Sequence, residues 1–364
     1  MFGDTVAIGA GRNQKNRGHI RVYTWDGLAW NQKGQDLDGT SNQDFLGRTL
    51  SMSADGSILA AGAPGKYNQG PGYVRVWKWM DGLWAQLGSD IAGEFEGDTF
   101  GTSVSVSFNG EVLAVGARYN DQNGENSGQV KIFEWTGESW AQRGQSLMGE
   151  LAGDDFGASI SMSSDGGMVA IGAPHSDKNG STSGHVRVLE WSGSAWIQRG
   201  QDLVGNSQKD RSGFSVSMSA DGTIVAIGGH YNGQNGGRSG HVWVWEWNGS
   251  TWTQKGNDIL GENANDYSGQ AVALSLDGSS VAIGAPRFGA NSTMYGQVRV
   301  FEWSGTSWDQ RGQAIVGKAP NDRFGSSLAL SWNGGILAVG APLNDGNGLS
   351  SGHVRVYQWT EAVP

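Results

Sequence analysis

Residues 154–209 read DDFGASISMSSDGGMVAIGAPHSDKNGSTSGHVRVLEWSGSAWIQRGQDLVGNSQK, and copies of this stretch recur from one end of the chain to the other. The glycine of its VAIGA segment, Gly172, has counterparts at Gly9, Gly62, Gly116, Gly228, Gly284 and Gly340. The tryptophan that closes HVRVLEW, Trp191, has counterparts at Trp25, Trp79, Trp135, Trp247, Trp303 and Trp359. From Gly116 onward each step is 56 residues. A repeat of this size with strand-like content predicts a propeller of sheets rather than a helical solenoid.

Four strands are expected in each copy. Strand a is residues 156–163, where small and aliphatic residues alternate. Strand b, residues 168–173, is apolar throughout, as a strand covered on both faces should be. Strand c, residues 185–191, alternates, and strand d lies around residues 195–203. Asp55-Gly56, Asn109-Gly110, Asp165-Gly166, Asp221-Gly222, Asp277-Gly278 and Asn333-Gly334 join a to b. Such pairs predict tight type I′ hairpins with positive φ at both central residues. The b–c connections are longer and rich in Asn, Asp and Gly.

Phe2-Gly3 aligns with Asp55-Gly56, so the first copy lacks strand a, and the last copy stops after Trp359 without strand d. The expected fold is all-β: a seven-bladed β-propeller of four-stranded antiparallel blades, with the first and last blades three-stranded. Residues 1–364 then form one propeller domain of about seven repeats, read as a piece of a longer protein. Incomplete terminal blades would leave sheet edges that invite self-association.

Composition narrows the partners. Gly accounts for 61 of 364 residues and the net charge is -10. That balance opposes nucleic acid, which calls for a basic stripe. No apolar run is long enough to insert in a membrane. The chain has no cysteine, which excludes disulfides and thiolate-bound metals.

Phe156-Gly157 opening strand a and Gly172-Ala173-Pro174 closing strand b form a pattern that Phe324-Gly325 with Gly340-Ala341-Pro342 repeats. Phe100-Gly101 pairs with Gly116-Ala117-Arg118, and Ser212-Gly213 and Ser268-Gly269 replace Phe-Gly in two copies. The chain thereby resembles the FG-GAP repeats of integrin α-subunit propellers and, more closely, Trp-rich bacterial and algal FG-GAP proteins. The resemblance implies an extracellular or cell-surface propeller used in adhesion or ligand binding. Integrin-type repeats often hold calcium between strands a and b. Here that connection is a short turn, too small for a cation that takes about six to eight oxygens. No cofactor or metal residue is therefore expected, with calcium in the b–c loops kept only as an alternative.

Residues repeated once per copy are expected to build the copy. Thirteen of the 17 Trp residues are periodic. So is the Asp before strand a (Asp44, Asp98, Asp154, Asp210, Asp266, Asp322), expected to fix the d–a crossover by accepting backbone N–H groups. His19, His185, His241 and His353 share one position on strand c. The exceptions carry the functional expectations. In antiparallel blades the b–c loops and d–a crossovers emerge at the same end, and this polar surface is the expected ligand face. Its candidates are Tyr119, Asn120, Asp121, Asn123, His175, Asp177, Tyr231, Asn232, Asn235, Asn344 and Asp345. Trp243 replaces the basic residue of other copies; packing against the neighbouring blade is the favoured reading, and a glycan platform, which keeps it among the ligand candidates, is the alternative. Phe108 and Trp332, at a–b turns, are expected to be exposed aromatic contacts.

No nucleophile elbow, phosphate loop or histidine cluster is present, so catalytic residues are not assigned and a non-enzymatic scaffold is expected. It would present b–c and d–a loops to a protein or glycan ligand. A carbohydrate-binding propeller using non-periodic Trp residues is the alternative. A calcium-dependent adhesion module is less favoured. So is a hydrolase or lyase, which would need convergent acid, base or metal groups at one mouth of the central channel.

Overall fold

A computed structural model describes residues 3–65, 70–289 and 293–359. Phe2, and Asn291-Ser292 of the glycosylation-like triplet Asn291-Ser292-Thr293, lie outside the described residues. The chain is all-β, a seven-bladed β-propeller of antiparallel sheets. It packs as two compact units, Met1–Ser176 with Arg187–Arg199 and Asp177–Val186 with Gly200–Pro364, so the division passes through the fourth blade.

The reference copy forms strand a over Ser159–Met162, b over Met168–Ala173 and c over His185–Trp191. Strand d differs from expectation. It is broken into Trp196–Gln198 and Leu203–Val204, which pair with opposite ends of strand c. Five of the sheets therefore have five strands. The first has four rather than three, because its strand d is split in the same way, and the last has three. Gly200 lies in the break with φ +74.

The a–b turns also differ in detail. Only the glycine has positive φ, as at Gly56 (φ +66). The Gly56 N–H donates to the Ser53 carbonyl, and Ser53 N–H closes the hairpin on the Ile58 carbonyl. The loop is thus a four-residue turn ending in a left-handed glycine, so the aspartate needs no positive φ. Asp55 instead accepts the Ser53 hydroxyl and the Ser57 N–H.

The core lies between successive blades. In the first unit Val112, Val130, Ile132 and Leu147 of the third blade pack on Ile160, Val169, Ile171 and Trp196 of the fourth. In the second unit Ile224, Val242 and Ile259 pack on Leu274, Val281 and Phe301. The Phe-Gly and Gly-Ala-Pro motifs meet in this seam. A Cβ on Gly116 would lie 2.2 Å from the carbonyl oxygen of Gly157 in the next blade. Only glycine lets the two backbones approach so closely.

Most of the periodic tryptophans are structural, as expected, but Trp25 is 41% exposed. Trp191 and Trp196 pack with centroids 5.3 Å apart. A Cβ on Gly144 of the preceding blade would fall 2.6 Å from the Trp191 ring. The indole N–H of Trp196 donates to the Arg143 carbonyl at 2.9 Å. Each fully buried Trp removes about 150–250 Å² from water, so these contacts dominate the blade seam.

Candidate functional site

At one end of the blades six d–a crossovers meet b–c loops, and one backbone position in each crossover is left-handed. It follows the periodic aspartate and is occupied by Phe45, Thr99, Asp155, Arg211, Tyr267 and Arg323, with φ between 53° and 59°. Non-glycine residues in this region cost free energy, so the neighbouring structure must hold them there. The periodic aspartates do part of this. Asp154 accepts the Leu151 N–H, Asp210 the Ser207 N–H and Asp322 the Ala319 N–H. The backbone at this position is fixed while its side chain changes from blade to blade.

In the first unit that position brings an acid and a base together. His175 Nδ1 lies 3.0 Å from Asp155 Oδ2, and Arg118 Nε lies 3.8 Å from the same oxygen. Asp155 is 5% exposed at its side chain, His175 33%. In the tautomer with N–H on Nδ1, the imidazole donates to Asp155 and carries its lone pair on Nε2. Burial holds the Arg118 guanidinium below the usual arginine value, opposed by Asp155 and reinforced by Arg48. Arg48 itself is lowered by burial and by Arg12. Three arginines with no excess of acid among them make this a cationic neighbourhood in an acidic chain.

Several residues singled out from sequence lie at this end of the blades in architectural contacts. Asn120 and Asn232 are buried, and each donates its amide to the periodic aspartate, Asp98 and Asp210. Asn344 does the same to Asp322. Asp121, Asp177 and Asp345 are exposed and tie their loops by accepting the N–H of Asn126, Thr182 and Ser350. Asn123 and Asn235 donate to the Gly149 and Gly261 carbonyls of the crossover. Tyr119 lies under the Arg118 guanidinium, and Tyr231 under Arg211. No group of three or more His, Asp or Glu that could hold a metal ion occurs among the described residues.

Trp243 requires a correction. It is 1% exposed, and its indole N–H donates to His241 Nδ1 at 3.0 Å, so it offers no platform to a glycan. The absence of the usual strand-c cation lets the indole fill the seam instead. Phe108 and Trp332 are exposed, at 45% and 48%, at the opposite end of their blades. Their backbones are tied to neighbouring turns, Phe108 N–H to the Ser164 carbonyl and Leu276 N–H to the Trp332 carbonyl.

Sequence reasoning singled out His175 but not Asp155, Arg118, Arg211 or Tyr267. The available signal was variation at a fixed place: the residue after the periodic aspartate differs in almost every copy.

A family model described as FG-GAP repeat matches residues 93–133, 150–189 and 317–357. No curated protein matches the chain. Among solved structures, a candidate 6-phosphogluconolactonase from Bacteroides uniformis ATCC 8492 is similar in fold. It has a TM-score of 0.64 at 13% identity, over 99% of this chain and 93% of that one. The periplasmic gluconolactonase of Pseudomonas aeruginosa gives a TM-score of 0.59 at 17% identity, over 99% of both chains. At these identities the likeness establishes the fold alone. It nevertheless overturns the expectation of a non-enzyme, because proteins with this architecture are described as lactonases and a repeat scaffold is no argument against chemistry. The chain is a seven-bladed β-propeller in which three segments match the FG-GAP repeat model.

Proposed function

We propose that the first unit binds a small anionic ester or lactone where its b–c loops and d–a crossovers meet, and hydrolyses its acyl bond. The carrying observation is the 3.0 Å contact between His175 Nδ1 and the buried carboxylate of Asp155, with Arg118 alongside. His175 Nε2 takes a proton from water as the oxygen of that water bonds to the acyl carbon. The acyl–oxygen bond then breaks, and the proton passes from Nε2 to the departing alkoxide, giving a carboxylic acid and an alcohol. Asp155 stabilises the imidazolium formed in between. Arg118 supplies positive charge to the oxyanion or to a carboxylate elsewhere on the substrate. The sequence expectation of a loop-presenting recognition face is retained in this reading: loops of differing composition on a fixed backbone select what reaches His175.

The description of two proteins of this fold as lactonases supports the choice of ester and lactone substrates. The test is a pH-stat assay of the chain against aldonolactones and short acyl esters, with and without a carboxylate. Turnover that is lost in His175→Asn supports the reading. No turnover of any substrate above the His175→Asn background overturns it.

A further inference from the structure

We infer that the second unit carries a separate binding site for a small molecule bearing an oxyanion, formed by Arg211, Arg238 and Arg287 on a frame of Tyr231 and Tyr267. It stands on residues other than those of the hydrolytic reading and does not depend on it. The left-handed crossover position supplies Arg211 in one blade and Tyr267 in the next. The b–c loop position that carries His175 in the fourth blade carries Tyr231 and then Arg287. Adjacent blades therefore present Arg–Tyr and Tyr–Arg, the same pair in opposite order.

The contacts interlock. Arg211 stacks on Tyr231 at 4.1 Å and Arg287 on Tyr267 at 4.3 Å. Arg238, itself left-handed at φ +60, lies 5.1 Å from the Tyr231 ring, and its Nη1 donates to the Tyr267 hydroxyl at 3.3 Å. The two tyrosine rings meet edge-on with centroids 5.2 Å apart. Buried His230 forms the floor, packed on Phe214, Tyr231 and Tyr267.

Among the described residues, none of the three arginines is ion-paired with a carboxylate. Gathering three guanidinium groups without a counter-charge costs free energy that ring stacking offsets only in part. In a chain of net charge -10, such a cluster is not a by-product of composition. The planes of the guanidinium groups are held by the tyrosine faces, so little order is lost when their N–H forks engage an anion. Paired N–H donors of this kind match the oxygens of a carboxylate, a sulfate or a phosphate.

Titration calorimetry at low ionic strength tests this, using the full chain carrying Arg118→Gln so that the arginine beside Asp155 and His175 in the first unit is absent. The probes are glucuronate, inorganic sulfate and inorganic phosphate, with glucose as the neutral control. Binding of at least one oxyanion and none of glucose is expected, and the preferred probe identifies the group. Arg211→Gln and Arg287→Gln should each weaken binding at least tenfold, while Arg21→Gln, whose partner is Asp36, should leave it unchanged. Tyr267→Phe keeps the ring but loses the Arg238 bond, and should weaken binding less. Thermal melts without ligand check that each variant is folded. The inference is overturned if no oxyanion binds, if binding survives both arginine substitutions in folded protein, or if Arg21→Gln abolishes it equally.

Discussion

Gln145 holds Trp196 of the next blade by both of its outward-facing backbone groups. The Gln145 amide donates to the Trp196 carbonyl at 2.6 Å, and its oxygen accepts the Trp196 N–H at 3.1 Å. Gln35 grips Trp84 and Gln201 grips Trp252 in the same way. The three gripped indoles are 2–3% exposed. Ser89 and Asn257 occupy the equivalent positions before Trp140 and Trp308, and both of those tryptophans are only half-buried. Beside Trp308 a cavity of about 210 Å³ opens, lined by Asn257, Arg299 and Phe301 among others.

Asn257→Gln should therefore stabilise the second unit. One added methylene lets the carboxamide reach the Trp308 backbone, and two net hydrogen bonds contribute about 1–2 kcal/mol. The measurement is the urea midpoint at constant m-value. A midpoint at or below that of the parent would show that the clamp adds nothing to the seam.

Asp155 and His175 should separate kinetically from Arg118. Removing the base in His175→Asn should lower kcat by about 10²–10⁴, the usual contribution of a positioned general base. Asp155→Asn should lower kcat while leaving KM nearly unchanged, because it acts through the imidazole. Arg118→Gln should raise KM most for substrates carrying a carboxylate. A His175→Asn enzyme as fast as the parent would remove His175 from the chemistry.

His241 gives a prediction on the acid side. Burial pushes its pKa down to about 3, and the Trp243 indole N–H occupies its Nδ1 lone pair. The folded state therefore holds a neutral ring while the unfolded chain protonates near the ordinary histidine value. The contribution is fully present above about pH 6.5 and is lost as pH falls toward 3, at up to about 1.4 kcal/mol per pH unit. Gln129 and Gln297 occupy the same strand position in other blades. His241→Gln should therefore fold and show a flatter stability curve between pH 6.5 and 4. Parallel curves for the two proteins would contradict the buried neutral ring.

The scaffold was legible in sequence because its determinants repeat. Gly116 and Gly157, or Trp191 and Trp196, stand in the same relation in blade after blade, so sterics act identically and the pattern survives. The candidate sites were less legible for two physical reasons. Asn120 looked like a ligand residue, yet it serves Asp98, 22 residues away across the a–b hairpin, a pairing that no local pattern displays. Asp155 and His175 are also brought together by the a–b hairpin, at two positions whose side chains are dictated by no seam. At Trp243 the glycan-platform alternative fails and the packing reading holds, because the seam can bury an indole more cheaply than a charge.

Asp210 provides the opposite pH dependence. It is 1% exposed. Burial raises its pKa to about 6, with Asp258 adding to the rise and the Ser207 N–H and Asn232 amide acting against it. Its folded value thus lies above its unfolded one. The stability it contributes is complete below about pH 3.8 and is lost as pH rises through 6, because only the unfolded chain releases the proton readily in that window. A rise of this size corresponds to roughly 2–3 kcal/mol of penalty at neutral pH. Asp210→Asn removes the charge but leaves one oxygen to serve two donors, and losing one of those bonds costs about 1 kcal/mol. The net expectation is a variant more stable than the parent by about 1–2 kcal/mol at pH 7 and less stable at pH 4. Urea titrations at the two pH values measure this crossing. Curves for parent and variant that keep the same order at both values would show that Asp210 is ionised in the folded protein at acidic pH, contrary to its burial.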